Sequence, residues 1–249
     1  MKKRNVKNKS TITRILGEST PFAIKEAFNQ LRTNIMYSAH DSEGAPVYAI
    51  TSAEQGVGKS TISANIAVSF SQTGQKVLLV DADMRRPTQY KFFGYDKKQH
   101  GFSETLSGII KEPSEAISVY SEKLHVLTSG CTPPNPSALL MSSRLKVLIE
   151  QWKKEYDIIF IDLPPVGVVS DPTDIAGHVD GYVFVTKANV SNSVNVNAAI
   201  DTLKSVGAKV TGLVVNGTSH KGSENKAYAR GRYHYKYGYT YEYVSGENE

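Results

Sequence analysis

A glycine-rich stretch with a lysine and a serine carries the clearest chemical signal in this sequence. It reads Ala-Glu-Gln-Gly-Val-Gly-Lys-Ser-Thr over residues 53–61, between an apolar strand-like run and a helix-like run. Its glycines let backbone N–H groups turn inward around phosphate oxygens, and the N-terminus of the following helix favours an anion. We therefore predict a phosphate-binding loop whose lysine reaches the β- and γ-phosphates and whose serine hydroxyl binds Mg²⁺. The predicted nucleotide contacts in this loop are Glu54, Gln55, Gly56, Val57, Gly58, Lys59, Ser60 and Thr61.

Three aspartates stand at the ends of buried, strand-like runs. Asp81 and Asp83 end an apolar run over 76–83, and Asp162 ends another over 156–162. Because ligands bind beyond the carboxyl ends of parallel strands, we expect these carboxylates beside the phosphate loop. A single aspartate in such a place is often only a helix cap. Three of them next to Lys59 indicate Mg²⁺-assisted phosphoryl transfer, in which positioning and charge stabilisation supply most of the catalysis.

Two further polar positions are candidates for nucleotide contacts. Arg85 and Arg86 directly follow the second motif, and Arg85 is expected to bring positive charge to the anion site. Asn216 ends the last strand-like run. Its amide has the donor and acceptor needed to read an adenine edge, but it is equally well explained as a turn residue before Gly217, and the sequence leaves both interpretations open.

Alternating apolar strands and helices predict an α/β fold, a P-loop NTPase with a mostly parallel central sheet flanked by helices. Strands are expected at 47–51, 76–83, 124–128, 156–162, 181–186 and 210–216, and helices at 62–70, 137–154 and 194–206. Another helix is predicted to begin with Thr20 as its N-cap, with Ile24, Phe28, Leu31 and Ile35 on a buried face. The expected organisation is a basic flexible arm over 1–18, a P-loop domain over 19–225 and a flexible tyrosine-rich tail over 226–249.

Composition narrows the classes of protein to consider. The single cysteine excludes an internal disulfide framework, and the sequence contains neither a secretory signal nor an apolar run that spans a bilayer, so we expect a cytoplasmic protein. The net charge is +5, and basic residues are concentrated at the start of the chain. The segment that carries them is expected to be either a solvated arm or a surface that attracts anionic lipid head groups. No nucleic-acid-binding motif accompanies them, so no nucleic acid partner is expected. The basic residues are Lys2, Lys3, Arg4, Lys7, Lys9 and Arg14.

The end of the chain is rich in tyrosine. Tyrosine occupies every second position from 233 to 243, with polar residues or glycine between. Such alternation fits an edge strand with one aromatic face, or a flexible row of hydroxyl groups that accept phosphate. The candidate phosphoacceptors are Tyr228, Tyr233, Tyr235, Tyr237, Tyr239, Tyr241 and Tyr243.

Taken together, these motifs resemble those of bacterial tyrosine kinases. The stretches AEQGVGKST, VLLVDADMRRP and IIFIDLPP are similar to the family's Walker A, A′ and B motifs, and TPPNPSALL and the tyrosine cluster also fit. The resemblance runs from about Glu26 to the C-terminus and is greatest to the cytoplasmic capsular-polysaccharide kinases of Gram-positive bacteria. It implies ATP and Mg²⁺ as cofactors, with Asp81 as the base or orienter of the tyrosine hydroxyl. By the same resemblance, Ser60, Asp83 and Asp162 form the metal site.

The resemblance also implies partners and regulation. Such kinases phosphorylate one another's tail tyrosines in ring-like homo-oligomers and act with a cognate phosphotyrosine phosphatase. A transmembrane chain-length-determinant adaptor activates them and recruits them to the inner face of the membrane, and phosphorylation cycles regulate capsular or extracellular polysaccharide synthesis and export. The family's subunit-contact motif, Glu-x-x-Arg-x-x-Arg, corresponds here to Glu26, Asn29 and Arg32. Asparagine replaces the first arginine, which weakens the expectation of a ring.

Two other functions fit parts of the sequence. A positioning or partitioning ATPase of the same P-loop branch has similar second and third motifs, but usually carries lysine where this chain has Glu54. A nucleotide-binding scaffold without transfer activity would use the aromatic tail as an interaction surface. Neither would contain phosphotyrosine after incubation with ATP, whereas a kinase would.

Overall fold

A seven-stranded sheet forms the centre of the protein in a computed structural model, which describes residues 15–38 and 44–218. The strand order is β3-β4-β2-β5-β1-β6-β7, and every neighbouring pair is parallel except β3 and β4. The predicted α/β fold with a mostly parallel sheet is therefore confirmed. The strands are β1 Val47–Ser52, β2 Val77–Asp81, β3 Ser118–Val119, β4 Leu124–Leu127, β5 Ile158–Asp162, β6 Gly181–Lys187 and β7 Val210–Asn216.

Helices connect the strands and cover both faces of the sheet. Short 3₁₀ turns lie at Pro113–Glu115 and Ala176–His178. No helix within the described ranges is long and apolar enough to cross a membrane. The helices in these ranges are α1 Phe22–Ser38, α2 Lys59–Ser71, α3 Gln89–Phe93, α4 Phe102–Ser107, α5 Pro136–Leu140, α6 Ser143–Glu155, α7 Asp171–Asp174 and α8 Ser193–Ser205.

The core consists of two apolar layers, one on each face of the sheet. Val47 and Ala49 of β1 pack in one layer, whereas Tyr48 and Ile50 pack in the other, as the two-residue period of a strand requires. Both faces of β1 are buried, which explains its continuous apolar sequence. Trp152 of α6 is fully buried in the first layer, so the prediction that it is a core residue is confirmed.

The predicted helix over 137–154 is in fact two helices. Asn135 caps α5, because its Oδ1 accepts a hydrogen bond from the backbone N–H of Ala138 at 3.2 Å. The Ser142 hydroxyl donates to the carbonyl of Leu139 at 2.6 Å, and this local bond competes with continued helical pairing. The chain therefore leaves the helix at Met141, and α6 begins at Ser143.

The start of α1 also differs from its prediction. The helix begins at Phe22, and the Thr20 hydroxyl accepts a hydrogen bond from Gly17 N–H rather than from the first turn. Ile35 is buried as expected, but Ile24 is 47% exposed. Phe28, Leu31 and Ile35 pack against the core layer that contains α2, so of the predicted apolar face only Ile24, in the first turn, does not.

Strand register fixes the relative positions of the motifs. Asp81 at the end of β2 lies opposite Asp162 at the end of β5, and Asp162 in turn lies opposite Ile50 of β1. The phosphate loop follows β1 directly, so all these groups occur at one edge of the sheet. The seven candidate tail tyrosines and the six basic residues of the first segment lie outside the described residues.

Candidate active site

The phosphate loop connects β1 to α2 and contains two glycines in the left-handed region. Gly56 has φ of 78° and Gly58 has φ of 95°. A Cβ atom on Gly58 would also overlap the Asn216 side-chain nitrogen. Helix α2 begins at Lys59, so its first N–H groups and its positive dipole end are available at the loop. The sequence selects glycine here because other residues rarely adopt this backbone.

Lys59 forms the central ion pair of the site. Its Nζ lies 2.8 Å from Asp162 Oδ1 and 3.7 Å from Asp83 Oδ2. The Lys59 side chain is only 8% exposed, and that of Asp162 is fully buried. Burial alone would lower the pKa of Lys59, but the nearby carboxylates, Asp162 first, outweigh it and raise the pKa. The ammonium therefore remains charged in the absence of nucleotide.

Asp81 has one carboxylate oxygen bound and one unbound. Its Oδ2 accepts hydrogen bonds from the backbone N–H groups of Thr88 at 3.0 Å and Gln89 at 2.9 Å. Its Oδ1 is buried and has no hydrogen-bond partner in the described part of the chain. Burial, and secondarily the negative charge of Asp162, raises the pKa of Asp81 to about 8. With this pKa, Asp81 is mostly protonated near neutral pH while no cation is bound; a cation at this edge would lower the pKa and leave Oδ1 free to accept a proton from a substrate hydroxyl.

Asp83 lies beside the lysine with a more accessible carboxylate. Its Oδ1 accepts a hydrogen bond from the backbone N–H of Arg86 at 3.0 Å. Burial raises the pKa of Asp83, although Lys59 and this backbone bond act in the opposite direction. The Asp83 side chain is 10% exposed, so its carboxylate lies between solvent and the buried pair of Lys59 and Asp162.

The residues of this edge fit a magnesium ion. Three carboxylates against one ammonium leave excess negative charge in a poorly solvated place, and Mg²⁺ prefers such oxygen ligands. Within the described ranges, no group of three His, Cys, Asp or Glu side chains is arranged to hold a metal unaided. This agrees with the usual Mg²⁺ site of phosphoryl-transfer enzymes, where one or two carboxylates act together with substrate phosphates and water.

The two arginines of the second motif have different partners. Arg85, the expected phosphate-site cation, makes a two-pronged ion pair with buried Asp171 at 2.9 and 2.8 Å. Arg86 is the one that contacts the phosphate loop, through a 2.7 Å bond from its Nη1 to Gln55 Oε1. Sequence reasoning could not separate these roles, since Asp171 is distant in the chain and carries no motif.

Asn216 contacts the phosphate loop from the end of β7. Its side-chain nitrogen donates a hydrogen bond to the Val57 carbonyl at 2.8 Å. Glu54, the acidic residue of the loop, accepts a 2.9 Å hydrogen bond from Asn195 of α8. Asn216 is thus more than a turn residue, because it supports the backbone that surrounds the phosphates; reading of an adenine edge stays a prediction.

Two residues that sequence analysis did not identify hold Asp162 in place. Ser63 Oγ donates to Asp162 Oδ1 at 3.1 Å, and Gln89 Nε2 donates to Asp162 Oδ2 at 2.8 Å. Ser63 was detectable as a polar residue one helical turn after Lys59, on the same face of the helix. Gln89 belongs to no recognised pattern, and its contact with β5 arises from tertiary structure.

Replacing Gly58 by alanine should disrupt the phosphate loop. The left-handed backbone costs an L-residue about 1–2 kcal/mol, and the new Cβ would also displace Asn216. We expect binding of a fluorescent ATP analogue, measured by titration, to weaken at least about tenfold. Gly74→Ala is the control, because Gly74 has φ of 89° but open space around it. Equal affinities for the two variants would contradict this account.

Stability should depend on pH through Asp81. Its pKa of about 8 in the folded protein exceeds the unfolded value of about 3.9, so the wild type should lose stability as pH rises between these values. Asp81→Asn removes this titration. The free energy of unfolding would be measured in urea at about pH 5, 6.5 and 8. Relative to the wild type, that of the variant should rise by at most about 1.4 kcal/mol per pH unit. Asp201→Asn, which removes an exposed carboxylate of α8, is the matched control. A difference between Asp81→Asn and the wild type that stays constant with pH would disprove the effect.

The chain is similar to known proteins in both sequence and structure. Residues 45–232 match the ParA family model, described as NUBPL iron-transfer P-loop NTPase. The chain is 38% identical over 211 residues to CapB of Staphylococcus aureus, which covers 84% of this chain and 92% of the relative. It is 37% identical over 192 residues to tyrosine-protein kinase CpsD of Streptococcus agalactiae, with 77% and 82% covered.

A solved kinase domain has the same fold. The kinase domain of Escherichia coli tyrosine kinase ETK matches with a TM-score of 0.79 at 29% identity, over 96% of this chain and 88% of that one. Sequence relatives and structural neighbours therefore agree, and they favour the kinase over the switch ATPase and the scaffold. The chain belongs to the bacterial tyrosine kinase family of P-loop NTPases and is a protein-tyrosine kinase.

Proposed function

We propose that this kinase transfers the γ-phosphoryl group of ATP to tyrosines of its own C-terminal tail, between subunits and with Mg²⁺. The observation that carries the proposal is the buried Lys59–Asp162 pair beside Asp81, at the edge where the phosphate loop begins α2. These groups supply a phosphate cation, a metal ligand and a proton acceptor in one place. The candidate phosphoacceptors, Tyr228 and the six tyrosines from Tyr233 to Tyr243, are part of the same chain.

We assign binding of the nucleotide phosphates to the phosphate loop and its lysine. The backbone N–H groups of residues 54–61 surround the phosphates, and Lys59 moves its ammonium from Asp162 to the β- and γ-phosphate oxygens. The free energy lost on leaving Asp162 is offset, because one charge-assisted contact replaces another. Arg86 lies against Gln55 and adds positive charge at the loop, whereas Arg85 is held by Asp171.

We assign the role of proton acceptor to Asp81. Its unpaired Oδ1 accepts the proton of the substrate tyrosine while the phenolic oxygen forms a bond to the γ-phosphorus. The bond from that phosphorus to the β–γ bridging oxygen breaks, and ADP leaves with the electron pair. Asp81 Oδ2 stays bound to two backbone N–H groups, so the carboxylate does not rotate during the transfer.

The metal site consists of Ser60, Asp83 and Asp162. Ser60 contributes its hydroxyl from the first turn of α2, and the two carboxylates contribute charge from β2 and β5. When bound, Mg²⁺ neutralises the phosphate charge that develops during transfer. The excess of carboxylates over ammonium groups at this edge supports the assignment.

The biological setting follows from the resemblance to capsular kinases. In this proposed setting, a transmembrane chain-length-determinant adaptor activates the kinase and recruits it from the cytoplasm to the inner face of the membrane. A cognate phosphatase removes the phosphate, and the cycle regulates capsular or extracellular polysaccharide synthesis and export. Each phosphotyrosine adds about −1.5 to −2 charges, so a phosphorylated tail should leave an acidic active site.

Subunit contact is proposed for the Glu26 and Arg32 face of α1. Within one subunit, Asn29 donates to Glu26 at 2.7 Å, and Arg32 donates to Asn29 at 3.0 Å. Arg32 also donates to the hydroxyl and carbonyl of Ser69 on α2 at 2.7 and 3.1 Å. Arg32 is thus occupied inside its own chain, which reduces what it offers to a neighbour and supports a weak oligomer.

The kinase assay tests the proposed reaction. Purified protein would be incubated with ATP and Mg²⁺, alone and fused to the adaptor's cytoplasmic segment, and phosphate would be mapped by mass spectrometry. We expect phosphotyrosine within Tyr228–Tyr243, reduced at least about hundredfold in Lys59→Met because the phosphate cation is lost.

Lys76→Met is the matched control for this assay. Lys76 lies over the Tyr156 ring at 4.9 Å, near the start of β2 and away from the catalytic edge, so its loss should leave phosphorylation unchanged. ATP hydrolysis without any phosphotyrosine in the wild type, with or without the adaptor segment, would overturn the proposal.

Asn29→Arg should strengthen the oligomer. The substitution removes one of the three acceptors of Arg32, leaving the two on Ser69, and places a like charge one helical turn away, which favours release of Arg32 toward a neighbour. We expect a larger mass by light scattering than for the wild type at equal concentration. Asn197→Arg, on the exposed side of α8, adds the same charge elsewhere. If both variants keep the wild-type mass, this face is not the contact.

A further inference from the structure

We propose that Gln89 is a positioning residue, which keeps Asp162 and Asp81 aligned when Lys59 moves to the nucleotide. The inference rests on the Mg²⁺-assisted phosphoryl transfer proposed above and assigns a role to a residue outside the three motifs. Gln89 is the first residue of α3 and is fully buried.

Gln89 contacts all three catalytic segments at once. Its side-chain Nε2 donates to Asp162 Oδ2 at 2.8 Å, at the end of β5. The same nitrogen lies 3.1 Å from the Ser60 carbonyl oxygen, in the first turn of α2. Its backbone N–H donates to Asp81 Oδ2 at 2.9 Å, at the end of β2. A displacement of Gln89 would therefore change the proton acceptor, the metal ligand and the phosphate-loop helix together.

The contacts of Asp162 show why this matters during a reaction. Lys59 and Ser63 both bind Oδ1, at 2.8 and 3.1 Å, whereas Gln89 binds Oδ2. When the ammonium leaves for the phosphates, Oδ1 keeps only the Ser63 hydroxyl. A carboxylate held by a single hydroxyl donor rotates more readily about its last torsion angle than one that has donors on both oxygens. Gln89 supplies the second donor.

The chemical type of the residue also fits this role. An amide donates a hydrogen bond without adding a cation that would repel Mg²⁺ or an anion that would repel Asp162. Gln89 Oε1 is buried and has no partner among the described residues. An unpaired buried acceptor is unfavourable for stability, and an apolar residue of the same shape would avoid it. Stability alone therefore does not explain a glutamine at this position.

The test compares Gln89→Met with Gln99→Met. Gln99 is a half-buried glutamine whose Nε2 donates to the Ser118 hydroxyl at 3.2 Å and to the Thr128 hydroxyl at 3.1 Å, away from the catalytic carboxylates. Two quantities would be measured. One is kcat and KM for ATP in tail phosphorylation; the other is ADP affinity by calorimetry, with and without Mg²⁺.

We expect kcat of Gln89→Met to fall about 10- to 100-fold, the usual effect of losing a residue that orients a metal ligand. KM for ATP and metal-free ADP affinity should stay close to those of Gln99→Met, because the phosphate loop is intact. The gain in ADP affinity on adding Mg²⁺ should fall about tenfold or more. Equal kcat and equal Mg²⁺ gain in the two variants would overturn the inference.

Two further outcomes are distinguishable. If circular dichroism shows Gln89→Met to be unfolded, Gln89→Asn is used in its place, because its amide is one methylene too short to reach Asp162. A wild-type kcat and a wild-type gain in ADP affinity with Mg²⁺ in Gln89→Asn would overturn the positioning role. If the wild type makes no phosphotyrosine, the proposed tail phosphorylation fails, and the calorimetric comparison still accepts or rejects Gln89 as an orienter of the metal ligand.

Discussion

The contact between Lys59 Nζ and Asp162 Oδ1, 2.8 Å long and almost fully buried, joins the phosphate loop to the strand that carries the third motif. A buried ammonium needs nearby negative charge, since removing either partner would leave an uncompensated charge in the interior. Asp81 and Asp83 lie at the same edge, so carboxylates outnumber ammonium groups there. The site therefore has an unmet requirement for positive charge, which the Mg²⁺ of the proposed reaction would satisfy.

Much of this arrangement could be predicted from the sequence because its cause is local. Runs such as 77–81 and 158–162 are apolar on both faces, which requires a parallel sheet with helices on both sides. Parallel strands place their carboxyl ends at one edge, and this alone brings Asp81 opposite Asp162. The glycines of the phosphate loop were equally predictable, because their backbone conformation admits few other residues.

The parts that could not be predicted depend on contacts between distant segments or on single side chains. Arg85 and Arg86 are adjacent in sequence, yet one binds Asp171 and the other Gln55, and no local pattern separates them. Gln89 reaches Asp162 only because α3 packs beside α2. The break between α5 and α6 depends on one serine hydroxyl, which a helical apolar pattern does not reveal.

The hydrogen bond from Asn216 to the Val57 carbonyl has a mechanical consequence. Asn216 is the last residue of β7, and the chain continues from it toward the tyrosine-rich segment. The backbone of Asn216 is also paired with Lys187 of β6, and its carbonyl accepts a hydrogen bond from Ala188 N–H at 2.9 Å. The phosphate loop and the end of β7 are therefore joined through one residue, and a displacement of either one is resisted by the other.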